Sequence, residues 1–446
     1  MKTQTFESSC ENILPICNLL QTKTQAKLRE VTARLKLRCF LLLAALPLLT
    51  FLGCNRHGFP EFPDGYREFA YVANSESNTV TVLDLVYLRP DRTLSVGNTP
   101  IALAANPKRD EVYVVNSMPG QAAGSVSVID TARNTVVATI PVHRNPSYIS
   151  VDSTGQRAFV ANTGSNTVSV LDLASRKVID TVATGEKPTM ALISPDGRTL
   201  VVTNRASGSI SVYASNIPAL LVPAPVGTMP KSAPALSLRS TFAGCPGAAD
   251  AVILPDSSKT FVACSFAHQV MAVWLAAAPD SWSAKQDASL TSDHLLALLD
   301  VGNNPTNLTL KPDGGEVFSS NRDSDSISEI MTQTNEVGST YVIGNHPAHG
   351  LVSSDNGALW VSNVGGEAIS LYSIADGKFL SSIRTGIAPD MLAFSDPEQM
   401  LLVADTRSGD VAVIRTASKL GPALFTILPA GGSPVAIVVK AMPAKL

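Results

Sequence analysis

YVANSESNTVTVLDL, residues 71–85, is the stretch on which the fold turns. Its two apolar runs are rich in β-branched residues and flank a polar Ser-Glu-Ser-Asn cluster, the pattern of two short strands joined by a tight turn. The pattern returns as YVVNSMPGQAAGSVSVID, FVANTGSNTVSVLDL, VVTNRASGSISVYAS, FVACSFAHQVMAVWL, FSSNRDSDSISEIMT, WVSNVGGEAISLYSI and LVADTRSGDVAVIRT. The residue closing the first run is Asn74, Asn116, Asn162, Asn204, Cys264, Asn321, Asn363 or Asp405, at intervals of 42, 46, 42, 60, 57, 42 and 42. A second marker, usually Gly-x-x-Pro, drifts in step with it. Its positions are Pro100, Pro146, Pro188, Ala248, Pro305, Pro347, Pro389 and Pro434. A period of about 40–50 residues points to a propeller or a solenoid.

Each unit holds four β-rich runs, for example MALISP, LVVTN, ISVYA and LSLRSTF between positions 190 and 242. The runs are apolar at nearly every position, as in sheets covered on both faces by neighbours. The Gly of Gly-x-x-Pro suits a positive φ where the chain crosses from one blade to the next, and Pro stiffens that crossing. The first unit lacks an inner strand, while PVAIVVK (434–440) is an inner strand with nothing after it. Pairing the two closes a ring of eight four-stranded antiparallel blades and leaves no open edge.

These motifs resemble the YVTN family of bacterial β-propeller repeats over residues 70–440. The resemblance implies an all-β propeller, for which seven blades, the commoner family number, is the alternative to eight. It implies several functions, because the family spans surface-layer components, lactonase-like proteins and relatives of haem d1 and quinoprotein propellers.

Upstream, RLKLRCFLLLAALPLLTFLGC (34–54) has a basic start and a 15-residue apolar run. That run is shorter than the roughly 20 residues of a membrane-spanning helix and suits a signal-peptide core. Its end, Phe51-Leu52-Gly53-Cys54, resembles the bacterial lipobox, with Phe51 where Leu is usual. The resemblance implies lipidation at Cys54, and Asn55 rather than Asp favours the outer membrane, facing the periplasm or the cell surface. The expected organisation is a signal region at 1–53, a tether at 54–69 and a propeller at 70–446. A start at Val31 would make residues 1–30 an extension outside the working protein.

The whole chain has 446 residues, a net charge of −3 and only 6% aromatic content. Removing residues 1–53 takes away seven Lys/Arg and three Asp/Glu, which moves the charge from −3 to −7 and argues against nucleic acid as a partner. Of six cysteines, Cys245 and Cys264 then remain as thiols, both in blade five and at the same end of one hairpin. In an oxidising envelope they are expected to form a disulfide.

Strand order sorts the remaining features onto two faces of a disc. One face carries two insertions, at 215–235 and 276–293, with partner contact or plain surface extension as the alternatives. The other carries residues two positions after the Pro marker, which in blades five, six and seven are Asp250, Asn307 and His349. Asp390, His346 and His143 lie within three residues of the same column. A His with two carboxylates suits metal binding or acid–base work, and Arg205, Arg322 and Arg407 on this face suit an anion. The inner strands, read as IALAA, YISV, MALI, AVIL, NLTL, GLVS, MLAF and VAIV, carry almost no charge. No nucleophile elbow, phosphate-binding glycine loop, haem-attachment motif or CxxC pair identifies a cofactor. The expectation is a monomeric, lipid-anchored, non-catalytic propeller that binds a protein or a small molecule. Its rival is a lactonase-like hydrolase or a haem-handling propeller working at the channel mouth.

Overall fold

The computed structural model describes residues 62–118, 120, 122–216, 234–276, 291–416 and 421–442. They form eight four-stranded antiparallel sheets, the eight-bladed β-propeller that the repeat count requires. Blades two to eight follow chain order: 100–144, 146–183, 188–243, 248–300, 305–342, 347–384 and 389–429. Blade one joins both ends of the chain, with Pro434–Met442 innermost and Arg67–Asn74, Thr79–Asp84 and Arg89–Ser95 outside it. Pairing there runs from Arg67 opposite Met442 to Asn74 opposite Pro434, so the C-terminal strand closes the ring. The compact unit starts at Phe62. The Tyr66 hydroxyl donates to the Asp396 carbonyl of blade eight at 2.6 Å, so the end of the expected tether packs on the propeller.

Second and third strands are buried almost throughout; all six residues of Thr199–Asn204 are buried. Outer strands alternate instead, as in Lys177–Ala183, because only one of their faces meets a neighbour. The core is therefore a series of layers between blades. Val201 and Val212 of blade four pack with Val262 and Met271 of blade five. Tyr113 and Val126 of blade two meet Val160 and Leu171 of blade three in the same way. Burying each Val or Leu contributes about 1.5–3 kcal/mol.

The two sequence markers face each other across the inner pair of strands. Pro100 pairs with Asn116, Pro188 with Asn204, Pro347 with Asn363, and the other blades repeat this register. Each buried Asn carboxamide donates to hydroxyls on the third strand: Asn162 to Ser169 at 2.9 Å, Asn204 to Ser211 at 3.0 Å, Asn321 to Ser328 at 2.9 Å. The crossing glycine rests on that carboxamide. A Cβ on Gly185 would stand 2.7 Å from Asn204 Cγ, and one on Gly344 2.4 Å from Asn363 Oδ1. Close approach, rather than the expected positive φ, is what demands glycine here. The positive φ falls on the residue before the marker, as at Thr99, Lys187, His346 and Ala388.

Three blades vary this clasp, the first being blade three, where His143 stands at the glycine position opposite Asn162. In blade five Cys245 and Cys264 occupy the Gly and Asn positions and form the expected disulfide. In blade eight Asp405 replaces Asn and accepts the Gly386 N–H at 2.9 Å. Burial, with Asp410 alongside, pushes the Asp405 carboxyl up to about 7. A carboxyl whose pKa rises on folding favours the native state when protonated. Its contribution is lost as pH climbs from the usual carboxylate range through about 7. Asp405→Asn should therefore raise the Tm by a few degrees at pH 8 and by less at pH 5; thermal unfolding followed by circular dichroism at both pH values checks this.

Candidate functional site at the channel mouth

Inner strands begin at the marker itself, one to three residues earlier than their apolar runs suggest. Asp250 thus belongs to Ala248–Ile253, Asn307 to Pro305–Leu310, His349 to Pro347–Val352 and Asp390 to Pro389–Phe394. The reading of the inner strands as nearly uncharged is corrected accordingly. Every inner strand also bulges just after its marker. A bulge re-aims the side chains beside it, here in the two positions at the mouth.

Four neighbouring blades are joined there through side chains. The Asp250 carboxylate accepts from Asn307 Nδ2 and from the Leu308 N–H, both at 2.8 Å. Asn307 Oδ1 accepts the Gly350 N–H of blade seven at 3.2 Å. His349 Nδ1 lies 2.7 Å from Asp390 Oδ1 of blade eight. These contacts use up Asp250 and Asn307 as braces between blades. They leave His349 Nε2 as the uncommitted atom of its ring, because a carboxylate at Nδ1 fixes the proton on that nitrogen.

Charge follows the same geometry. Burial pushes the Asp250 carboxyl up, against the hydrogen bonds it accepts and the nearby His349 charge. Burial opposes a charged His349, but Asp390 and then Asp250 outweigh it and raise the imidazole pKa. For Asp390 burial is likewise overcome, by His349 and by Arg322, and its carboxyl is held low. About a third of the His349 side chain, 34%, still faces solvent, so the pair can meet a ligand. The pair stabilises the fold between two limits: it is lost as pH rises through the His349 pKa or falls through that of Asp390.

Beside this pair lies a recess of about 500 Å³, with Thr306 and Arg322 of blade six, His346 and Gly365 around blade seven, and Asp390 and Arg407 of blade eight in its wall. A second recess of about 660 Å³ shares Thr406 and Arg407 and continues towards Glu76 and Ser433 of blade one. Among the described residues no group of three or more His, Cys, Asp or Glu is placed to hold a metal.

The structure brings together Asp250, Asn307, His349 and Asp390, with His346 at the recess wall. His346 Nδ1 is 3.9 Å from Asp325 Oδ1. His143 does not join them. It sits on the outer strand Thr135–Arg144 of blade two, exposed, 3.2 Å from Thr181 Oγ1, because three residues before a marker lies across the crossing. Arg205 also stays apart, stacked over Phe266 at 5.0 Å. Most of each insertion, 217–233 and 277–290, lies outside the described residues. The stem of the second is anchored: Asp293 accepts both arms of Arg239 of blade four at 2.7 Å. Thr306 is a site residue that the sequence reading passed over. Its counterparts Ser147 and Thr189, one residue after their markers, donate to carbonyls of the next blade.

The fold and this mouth define a β-propeller, and the comparisons agree. The chain matches the model of a YNCE-like beta-propeller over residues 63–197. No curated protein matches it significantly. It is similar in fold to dihydro-heme d1 dehydrogenase NirN, with TM-score 0.64 and 15% identity over 85% of this chain and 76% of that one. Apo AztD from Citrobacter koseri gives TM-score 0.57 and 13% identity over 86% and 100%. A putative 6-phosphogluconolactonase from Bacteroides uniformis gives 0.55 and 16% over 85% and 100%.

Because Asp390 supplies the largest support for a charged His349, Asp390→Asn should lower the imidazole pKa. Histidine NMR titration of the two proteins measures it, and an unmoved His349 would contradict the pairing.

Proposed function

We propose that this chain is a lipid-anchored envelope protein of the YVTN repeat type, a non-catalytic scaffold that binds a ligand at its channel mouth. The observation that carries the reading is the Asp250–Asn307–Gly350 and His349–Asp390 chain of hydrogen bonds. It spends most polar groups of the mouth on holding four blades in register and leaves one imidazole edge and a polar recess for a ligand. The anchor is Cys54, which lies outside the described residues, and the lipobox resemblance supports an outer-membrane location facing the periplasm or the cell surface. We take the working protein to be a monomer whose partners are a small molecule or an envelope protein rather than nucleic acid.

One observation favours an enzymatic reading. A His–carboxylate pair in a recess is also an acid–base device, and two propellers of similar fold carry the names of a lactonase and of a haem d1 dehydrogenase. Under that reading His349 Nε2 is the proton acceptor.

A thermal-shift screen of envelope metabolites against the wild-type chain and His349→Ala tests the assignment. Hits should lose most of their stabilisation in the variant and emerge chemically unchanged by mass spectrometry. Conversion of a hit by the wild type alone would replace the scaffold reading with the enzymatic one. For the anchor, labelled palmitate should enter the wild-type chain and not Cys54→Ser, which should leave the membrane fraction.

A further inference from the structure

The recess beside His349 is lined by Val364-Gly365 of blade seven, at the positions where blade eight carries Thr406-Arg407. A side chain at Gly365 would meet Asn345 at 2.8 Å. The gap over blade seven is thus flanked by an arginine from each neighbouring blade. Arg322 opens the short 3-10 turn Arg322–Ser324 of blade six. Its N–H donates to the Asn304 carbonyl at 3.0 Å, and that of Arg407 to Ile387 at 3.1 Å, so both main chains are tied to the crossings. Among the described residues neither guanidinium has an ion-pair or hydrogen-bond partner, whereas other cationic side chains of the propeller do, Arg157, Arg239, Lys259 and Lys311 among them.

The charges around the gap can be counted. His349 and Asp390 are paired with each other, with the Arg322 charge acting on the same carboxylate, and the exposed His346 faces Asp325. Glu76 belongs to the adjoining recess next to Arg407. Arg322 and Arg407 remain as a pair of fixed positive charges around about 500 Å³, a volume in the usual range for small-molecule sites. The apolar members of the wall are only Ala348, Val364 and Ala388, with no aromatic or long aliphatic side chain, so the recess does not suit an apolar ligand. Guanidinium groups recognise carboxylate and phosphate through paired N–H donors.

We propose that this recess binds a small anion bearing carboxylate or phosphate groups, clasped between Arg322 and Arg407 across blade seven. His349 Nε2 meets the same ligand from the channel side. The proposal rests on the reading of the mouth as a ligand site and names the chemistry of its occupant.

The test is calorimetric titration of the full chain with inorganic phosphate, with succinate and with the neutral control D-glucose, at low ionic strength. At least one anion should bind saturably and glucose should not; which anion binds identifies the group recognised. Arg322→Gln and Arg407→Gln should each weaken binding about tenfold or more, with unchanged circular dichroism and Tm. The Lys variants should recover part of the loss. Arg384→Gln, at an exposed arginine already paired with Glu367, should bind as the wild type does. Failure of both anions to bind, undiminished binding in both Gln variants, or an equal loss in Arg384→Gln would overturn the proposal. Binding of a neutral ligand that depends on His349 but not on the arginines would overturn it and leave the scaffold reading standing. Conversion of an anion held by the arginines would do the reverse.

Discussion

A buried carboxamide at the end of the second strand in six of the eight blades holds the ring together. It donates to the third strand of its own blade and offers a flat surface on which the incoming crossing lies. A buried amide is costly unless its hydrogen bonds are made; here the sheet supplies acceptors for Nδ2, while Oδ1 of Asn74, Asn116, Asn162, Asn204 and Asn363 has no hydrogen-bond partner among the described residues. Where the crossing carries glycine, as at Gly185 and Gly344, that residue follows from the same contact, since a Cβ there would collide with the carboxamide. Six blades use Asn, one uses a disulfide in the same two positions, and one uses a carboxyl.

That clasp also builds the functional face. By fixing where a crossing ends it fixes where the next inner strand starts, and the bulge that follows turns two residues per blade towards the channel. Blades one to four put uncharged residues there, such as Ala102 and Met190. Blades five to eight put Asp250, Asn307, His349 and Asp390, and the constancy of the scaffold lets these meet at hydrogen-bond distance. The asymmetry is local to one side of the ring. The recess and its two arginines lie on that side too.

Much of this was legible in the residues. Intervals of 42 residues, repeated markers, a first unit without an inner strand and an orphan inner strand at the C-terminal end are enough for eight blades and their closure, because a strand with no partner in its own unit must find one elsewhere. The column holding Asp250, Asn307 and His349 followed from counting two positions past the marker. His143 misled the count because distance along the chain ignores the crossing between an outer and an inner strand. The charge of the inner strands was missed for a different reason: a bulge breaks the two-residue period, so the first residues of each strand look like loop. Nothing in the one-dimensional pattern marks a bulge.

Repeat length, turn chemistry and apolar patterning encode the architecture locally, so the chain alone specifies the number of blades, their strand order, the marker pairing and the cysteines available for a bond. The partner of His349, the spending of Asp250 on Asn307, and the gap between Arg322 and Arg407 depend on how one blade faces the next. Those contacts join residues about 40 to 85 positions apart, and their geometry is set by how neighbouring blades pack. No periodicity reports such distances; only the closed ring brings the groups within reach of one another.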